Sequence, residues 1–188
     1  MSAPFTTRRF TVDEYHRIAE AGVLHEDDRV ELLDGQIVVM TPIGSRHAAA
    51  VRRLEHTFHQ AVGDDAIISV QNPVVITEYW EPQPDVCLLR PRADFYARAH
   101  PRAEDVLLVV EVADTSGGDD RQRKVPEYGR AGVPEAWLVD LERDLIEVYR
   151  DPGPRYHTVS VSKRGDKLAP LAFPTVSASV GEVLGPRA

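Results

Sequence analysis

The chain reads as a single α/β domain: a central mixed β-sheet flanked by helices, with a helix and a β-hairpin at the N-terminal end. Three observations predict this. Segments with helical spacing alternate with strand-like apolar runs. The run Val-Leu-Leu-Val-Val-Glu-Val-Ala at 106–113 is apolar on both faces, as a strand in the middle of a sheet must be. Asp34-Gly35 lies between two apolar runs, a strong hairpin signal.

The elements follow in order. Thr11-Val12-Asp13-Glu14 has the form of a capping box and opens a first helix, which Gly22 stops. Val30-Glu31-Leu32-Leu33 and Gln36-Ile37-Val38-Val39-Met40 are the two arms of the hairpin. Thr41-Pro42-Ile43-Gly44 breaks the chain, and Ser45 caps a second helix that runs to about Val62, where Gly63 ends it. Its apolar positions Val51, Leu54, Phe58, Ala61 and Val62 recur at helical spacing.

Residues 66–70 and 74–77 read as extended, interrupted at Asn72-Pro73, and 85–89 as a short strand reached through Glu81-Pro82-Gln83-Pro84. Residues 91–105 form an irregular connection to the strand at 106–113. A polar, glycine-containing turn at 114–120 precedes a helix near Arg121, where Pro126 predicts a kink or a late start. Residues 136–141 and 145–149 form a strand pair joined by Glu142-Arg143-Asp144. Segments 156–161 and 167–173 are peripheral strands, and a short helix covers about 179–184. No internal repeat or low-complexity segment interrupts the 188 residues, which are expected to form one domain.

Composition narrows the function classes. A hydrophobic content of 43% with 28% charged residues is that of a soluble globular protein, and the longest apolar run is far too short to span a bilayer. The opening MSAPFTTRRF has no leader pattern, so a cytoplasmic location is expected. The single cysteine, Cys87, excludes an internal disulfide framework and a multi-cysteine zinc site; within Val86-Cys87-Leu88-Leu89 it is a small buried hydrophobe. A net charge of −8 argues against a protein that coats nucleic acid non-specifically. It leaves open an enzyme that holds one phosphate through a metal.

The chemistry centres on Glu111, a carboxylate near the end of the most apolar strand. Burying it uncompensated would cost several kcal/mol (order of magnitude), so it needs a cation or a proton beside it, unless it pairs with an arginine or emerges at a sheet edge. Asp85 begins a short strand directly after Pro84. Two carboxylates at the ends of neighbouring strands can share one hard cation, Mg²⁺ or Mn²⁺; taken singly, Asp85 reads equally as a turn residue. Lys124 lies about one helical turn into the segment after the polar loop. From there it can reach back over the strand ends and balance charge building on a phosphate, or lie solvated on a helix surface. Arg121 and Arg123 beside it suit flanking phosphates or solvent.

Pro84-Asp85, Glu111-Val112-Ala113 and Lys124 resemble the active-site pattern of the PD-(D/E)XK nuclease superfamily. One branch, the Uma-two family classed with restriction endonucleases, is closer still. The similar segments are Glu31-Leu32-Leu33-Asp34-Gly35-Gln36-Ile37, Gly44-Ser45-Arg46-His47, Pro84-Asp85-Val86, Leu108-Val109-Val110-Glu111-Val112, residues 120–124, and Ala131-Gly132-Val133-Pro134-Glu135-Ala136-Trp137-Leu138-Val139-Asp140. They span a core of about 10–150, leaving 151–188 as peripheral strands and a short helix.

The resemblance implies a restriction-endonuclease-like fold and a Mg²⁺- or Mn²⁺-dependent endonuclease acting on DNA. Asp85 and Glu111 are then metal ligands, Lys124 the assisting lysine, and Glu31 and His47 auxiliaries, Glu31 also as a ligand. The chain departs from the superfamily at Ala113, where the lysine is usual, and the role passes to Lys124. Bottom-up, Glu31 also fits an exposed strand position and His47 an exposed helix start, while Gln71 is a polar residue of the strand before Asp85. The competing reading is a structural or DNA-binding module with a vestigial metal site.

Other chemistries fit less well. His56 and His59 share a helix face with Glu55 but lack a third zinc ligand, and an exposed face explains them. Thr115-Ser116-Gly117-Gly118 suits a mobile loop closing on the site rather than a nucleotide-binding motif. The apolar hairpin and late strands, with little basic surface, point to a homodimer.

Overall fold

The computed structural model describes residues 7–25, 27–114 and 120–187. A six-stranded sheet forms its centre, in the order β3-β4-β5-β6-β7-β8. These strands are Ile67–Val70, Val86–Leu89, Val106–Ala113, Glu135–Asp140, Leu145–Arg150 and Thr158–Lys163. Only the β5–β6 pair is parallel; the other neighbours run antiparallel, so the sheet is mixed as expected. The most apolar run, β5, is an interior strand, buried by β4 on one side and β6 on the other.

Strand alternation divides the core into two. Leu108, Val110 and Val112 of β5 face the layer made by helix α2 (Ser45–Val62) and the C-terminal helix α4 (Val180–Leu184), with Trp137, Val139, Ile146 and Val148. Phe58 and Trp137, both fully buried, meet there with ring centroids 6.0 Å apart. Val109 faces the opposite layer with Cys87, Leu89, Leu33, Trp80 and Val125. Glu111 belongs by parity to this second face. Gly44, not Ser45, is the N-cap of α2, and Ala61 is solvent-exposed; Val51, Leu54, Phe58 and Val62 are buried.

At the N-terminal end Thr11 and Glu14 form the expected capping box of helix α1 (Val12–Glu20). Strands β1 (Val30–Leu33) and β2 (Gln36–Val39) pair antiparallel around Asp34-Gly35. Both turn residues have positive φ, 53° and 72°, which is what a two-residue hairpin of matching twist requires. A Cβ on Gly35 would lie 2.6 Å from the Arg9 Cβ and 3.0 Å from the Phe10 carbonyl. Gly35→Ala should therefore cost roughly 2 kcal/mol and lower the melting temperature by several degrees in a thermal scan. An unchanged melting temperature would show that the Arg9 segment yields freely.

Residues 74–77 do not form the expected strand. Val75 and Thr77 make only isolated bridges, to Arg102 and Trp80. Pro73, Pro82, Pro84 and Pro101 flank these contacts and cannot donate, so no ladder propagates. At 167–173 pairing is confined to β9 (Lys167–Leu168) with β10 (Ala178–Ser179), and Pro170 ends it. Among the described residues, no helix is long and apolar enough to cross a membrane.

Candidate active site

Register builds the site. Val86 pairs with Val110 in the antiparallel β4–β5 ladder, so the next position sets Asp85 directly across from Glu111 on the same face. Asp85 is 8% exposed and Glu111 3%. The main-chain N–H of Val112 donates to Asp85 Oδ2 at 2.8 Å and Gln71 Nε2 donates to Oδ1 at 3.1 Å. His47, in the first turn of α2, brings Nε2 to 3.0 Å from Oδ2. Gln71 sits at φ 52°, a left-handed conformation that costs a non-glycine residue about 1 kcal/mol or more. Its N–H contacts the Pro84 carbonyl at 3.1 Å, which holds this turn against the strand that begins at Asp85.

Glu111 has a different environment. The Tyr128 hydroxyl donates to its Oε1 at 2.5 Å, and Lys124 Nζ lies 3.7 Å from the same oxygen. Burial, reinforced by the Glu111 carboxylate, pushes the Tyr128 hydroxyl well above its usual pKa and keeps it a donor. Lys124 Nζ is also 3.1 Å from Glu31 Oε2, to which the Gln83 N–H donates at 3.1 Å. The ammonium thus bridges two acids that the hairpin and the central strand bring together, and both acids are buried. Glu31, Asp85, Glu111, Lys124, His47 and Gln71 all line one cleft of about 550 Å³, with Arg123 on its wall. Two opposed carboxylates with hard oxygen donors fit a divalent cation such as Mg²⁺ or Mn²⁺, whose remaining positions water and phosphate can fill.

The Uma2 sequence profile, described as "putative restriction endonuclease", matches residues 12–181. The chain belongs to the Uma2 family. The crystal structure of a putative nuclease belonging to DUF820, from Anabaena variabilis ATCC 29413, superposes with a TM-score of 0.74. It is 17% identical over 93% of this chain and 97% of its own, a likeness of fold alone. The type IIG restriction endonuclease BpuSI is 14% identical over 61% of this chain and 13% of its own, and its TM-score of 0.38 carries no argument. No curated protein matches the chain.

In this Uma2 chain the lysine reaches the cleft through an unusual helix start. Asp120–Lys124 forms a wide π-helical turn, and regular helix α3 (Val125–Arg130) begins late, at Val125, with Pro126 in its first turn, where a missing N–H costs nothing. Lys124 and Tyr128 are four residues apart, so one helical face delivers both to Glu111. Sequence reasoning missed Tyr128; its spacing from Lys124 was the available signal. Arg121 is held in part-buried ion pairs: it bonds Glu147 and Asp140, each at 2.8 Å, and anchors the helix start to β6 and β7. Burial raises the Glu147 carboxyl, but hydrogen bonds from Arg121 and Tyr149 outweigh it and hold the group below its usual value. Arg46 pairs with Asp114 at the cleft edge, at 3.3 Å, and also donates to the Leu141 carbonyl.

Cys87 is buried beneath the two acids. Burial first, then Glu111 and Asp85, push its thiol up, which suits packing rather than nucleophilic attack. His56 and His59 lie exposed on α2, as the sequence suggested. The loop at 115–118 expected to close on the site lies outside the described residues.

Proposed function

We propose that this Uma2 chain is a Mg²⁺- or Mn²⁺-dependent endonuclease that hydrolyses phosphodiester bonds in DNA. The observation that carries the reading is the cross-strand opposition of two buried carboxylates, Asp85 and Glu111, on the wall of one cleft. Asp85 and Glu111 would hold the ion, with Glu31 as a further oxygen donor. Once bound, such an ion polarises a phosphoryl oxygen and acidifies water. Tyr128 and the Val112 N–H fix the carboxylates before substrate arrives, so little reorganisation is needed. Lys124 donates to the non-bridging oxygens as charge builds on them, while His47, held by Asp85, carries off the proton of the attacking water. Water forms the new P–O bond as the scissile P–O bond breaks. With a net charge of −8, the chain draws affinity for DNA from the ion and from Arg123 and Lys124 rather than from a broad basic face.

The binding half of this reading is tested by metal titration. Mg²⁺ or Mn²⁺ at about 100 times its dissociation constant should stabilise the fold by about 2.7 kcal/mol, visible as a raised melting temperature. Asp85→Ala should abolish that rise. A wild-type chain that neither ion stabilises would overturn the metal site.

A further inference from the structure

A second cluster of ligand-type side chains lies outside this cleft. His16, Glu81 and His100 each offer one ligand atom, and these atoms lie within 4.8 Å of one another, the one such histidine, cysteine or acid group among the described residues. Three separate segments supply it. His16 is on α1, Glu81 is in the segment that bridges Leu32 of β1, and His100 lies in the long connection before β5. Their backbones are held independently of any ion. The Val12 N–H donates to the Glu78 carbonyl at 2.8 Å, Leu32 and Glu81 exchange both main-chain bonds, and the Val75 N–H donates to the Pro101 carbonyl at 2.9 Å.

The donor set has a specific chemistry. The Glu81 side chain is 3% exposed, and His16 Nε2 stands 2.8 and 2.9 Å from its two oxygens. A histidine–glutamate pair alone would explain that much. It would not call for His100, whose ring meets His16 edge-on with centroids 5.8 Å apart. Two imidazoles converging on one buried carboxylate match the three-ligand sets that hold zinc and leave a fourth position open. The ligand atoms around such an ion stand roughly 3.3 Å apart for bonds of about 2.0–2.1 Å, so His100, on the exposed side, closes by a side-chain adjustment. Imidazole donors disfavour Mg²⁺ and Ca²⁺ and select borderline transition metals. His16 and His100 also line a separate cleft of about 850 Å³, with Arg98 and Arg102, which shares no lining residue with the nuclease cleft and gives the open position access to solvent. By alternation Glu31 points to the opposite face of β1 from Leu32 and its partner Glu81, so one strand separates the two clusters.

We propose that His16, Glu81 and His100 form a binding site for a Zn²⁺-type transition metal that clamps the N-terminal helix and the hairpin segment to the connection before β5. The site is independent of the nuclease carboxylates and takes a different class of ion.

The test uses the untagged full chain carrying Asp85→Asn and Glu111→Gln, which removes the two principal carboxylates of the other site. Calorimetric titration with Zn²⁺ should show one equivalent bound, and Co²⁺ should give the visible absorption of a four-coordinate nitrogen–oxygen site. His100→Ala and His16→Ala, at positions exposed enough to leave the fold intact, should each weaken Zn²⁺ binding about tenfold or more and remove the Zn²⁺-induced rise in melting temperature. His56→Ala with His59→Ala should leave binding unchanged, and excess Mg²⁺ should not displace the ion. Zn²⁺ affinity that survives His100→Ala, that follows His56 and His59, or that yields to Mg²⁺ would overturn the proposal.

Discussion

Glu111→Gln should eliminate Mn²⁺-dependent nicking of supercoiled plasmid, with a loss of about 10³-fold or more, while the protein stays folded. Glutamine keeps the size of the side chain and an oxygen that can accept the Tyr128 hydrogen bond. What it removes is one unit of negative charge from a position that is 3% exposed, where screening by water is weak. About 4 kcal/mol of transition-state stabilisation corresponds to such a loss, and preorganised electrostatics of this kind reach that size. Circular dichroism and thermal melting distinguish a folded, inactive variant from a misfolded one. Nicking that persists in folded Glu111→Gln would remove Glu111 from the mechanism, whatever cleaved the DNA.

Lys124→Met should carry the second large effect, on stability and activity together. The ammonium stands 3.1 Å from Glu31 and 3.7 Å from Glu111, and all three side chains are at least nine-tenths buried. Methionine fills similar space but leaves two carboxylates without the charge between them. Breaking a buried ion pair on one side costs about 3 kcal/mol, which lowers the melting temperature by roughly 6–12 °C in a chain of this size. Mg²⁺ should restore more stability to this variant than to the wild type, because a cation then supplies the missing charge. Nicking should fall about 10²-fold or more if Lys124 is the proposed donor to the phosphate. A Lys124→Met chain as stable as the wild type would show that the two acids do not depend on the ammonium, and one as active would exclude it from catalysis.

Much of the fold was legible because its signals are local. The capping box at Thr11, the Asp34-Gly35 hairpin, the span of α2, the late helix start beside Pro126 and the interior position of Val106–Ala113 depend on residues near one another in the chain. The failures have equally specific causes. Residues 74–77 have strand-like composition, but the prolines around them withhold the donors a ladder needs. Arg121 read as suited to flanking phosphates or solvent because its partners, Asp140 and Glu147, lie 19 and 26 residues away.

The sequence by itself determined most of the helices and strands, and marked Glu111 as the carboxylate of the most apolar strand. A strand that is apolar on both faces belongs inside a sheet, where a carboxylate needs a partner. Only the tertiary structure decided that Asp85 stands opposite Glu111, since a one-residue slip of β4 against β5 would turn that side chain to the other face. Helical phase decided that Lys124 and Tyr128 point together at Glu111, and long-range docking of α1 brought His16 to Glu81 and His100. Register, phase and docking are settled by packing between segments distant in the chain, and a linear pattern does not encode them residue by residue.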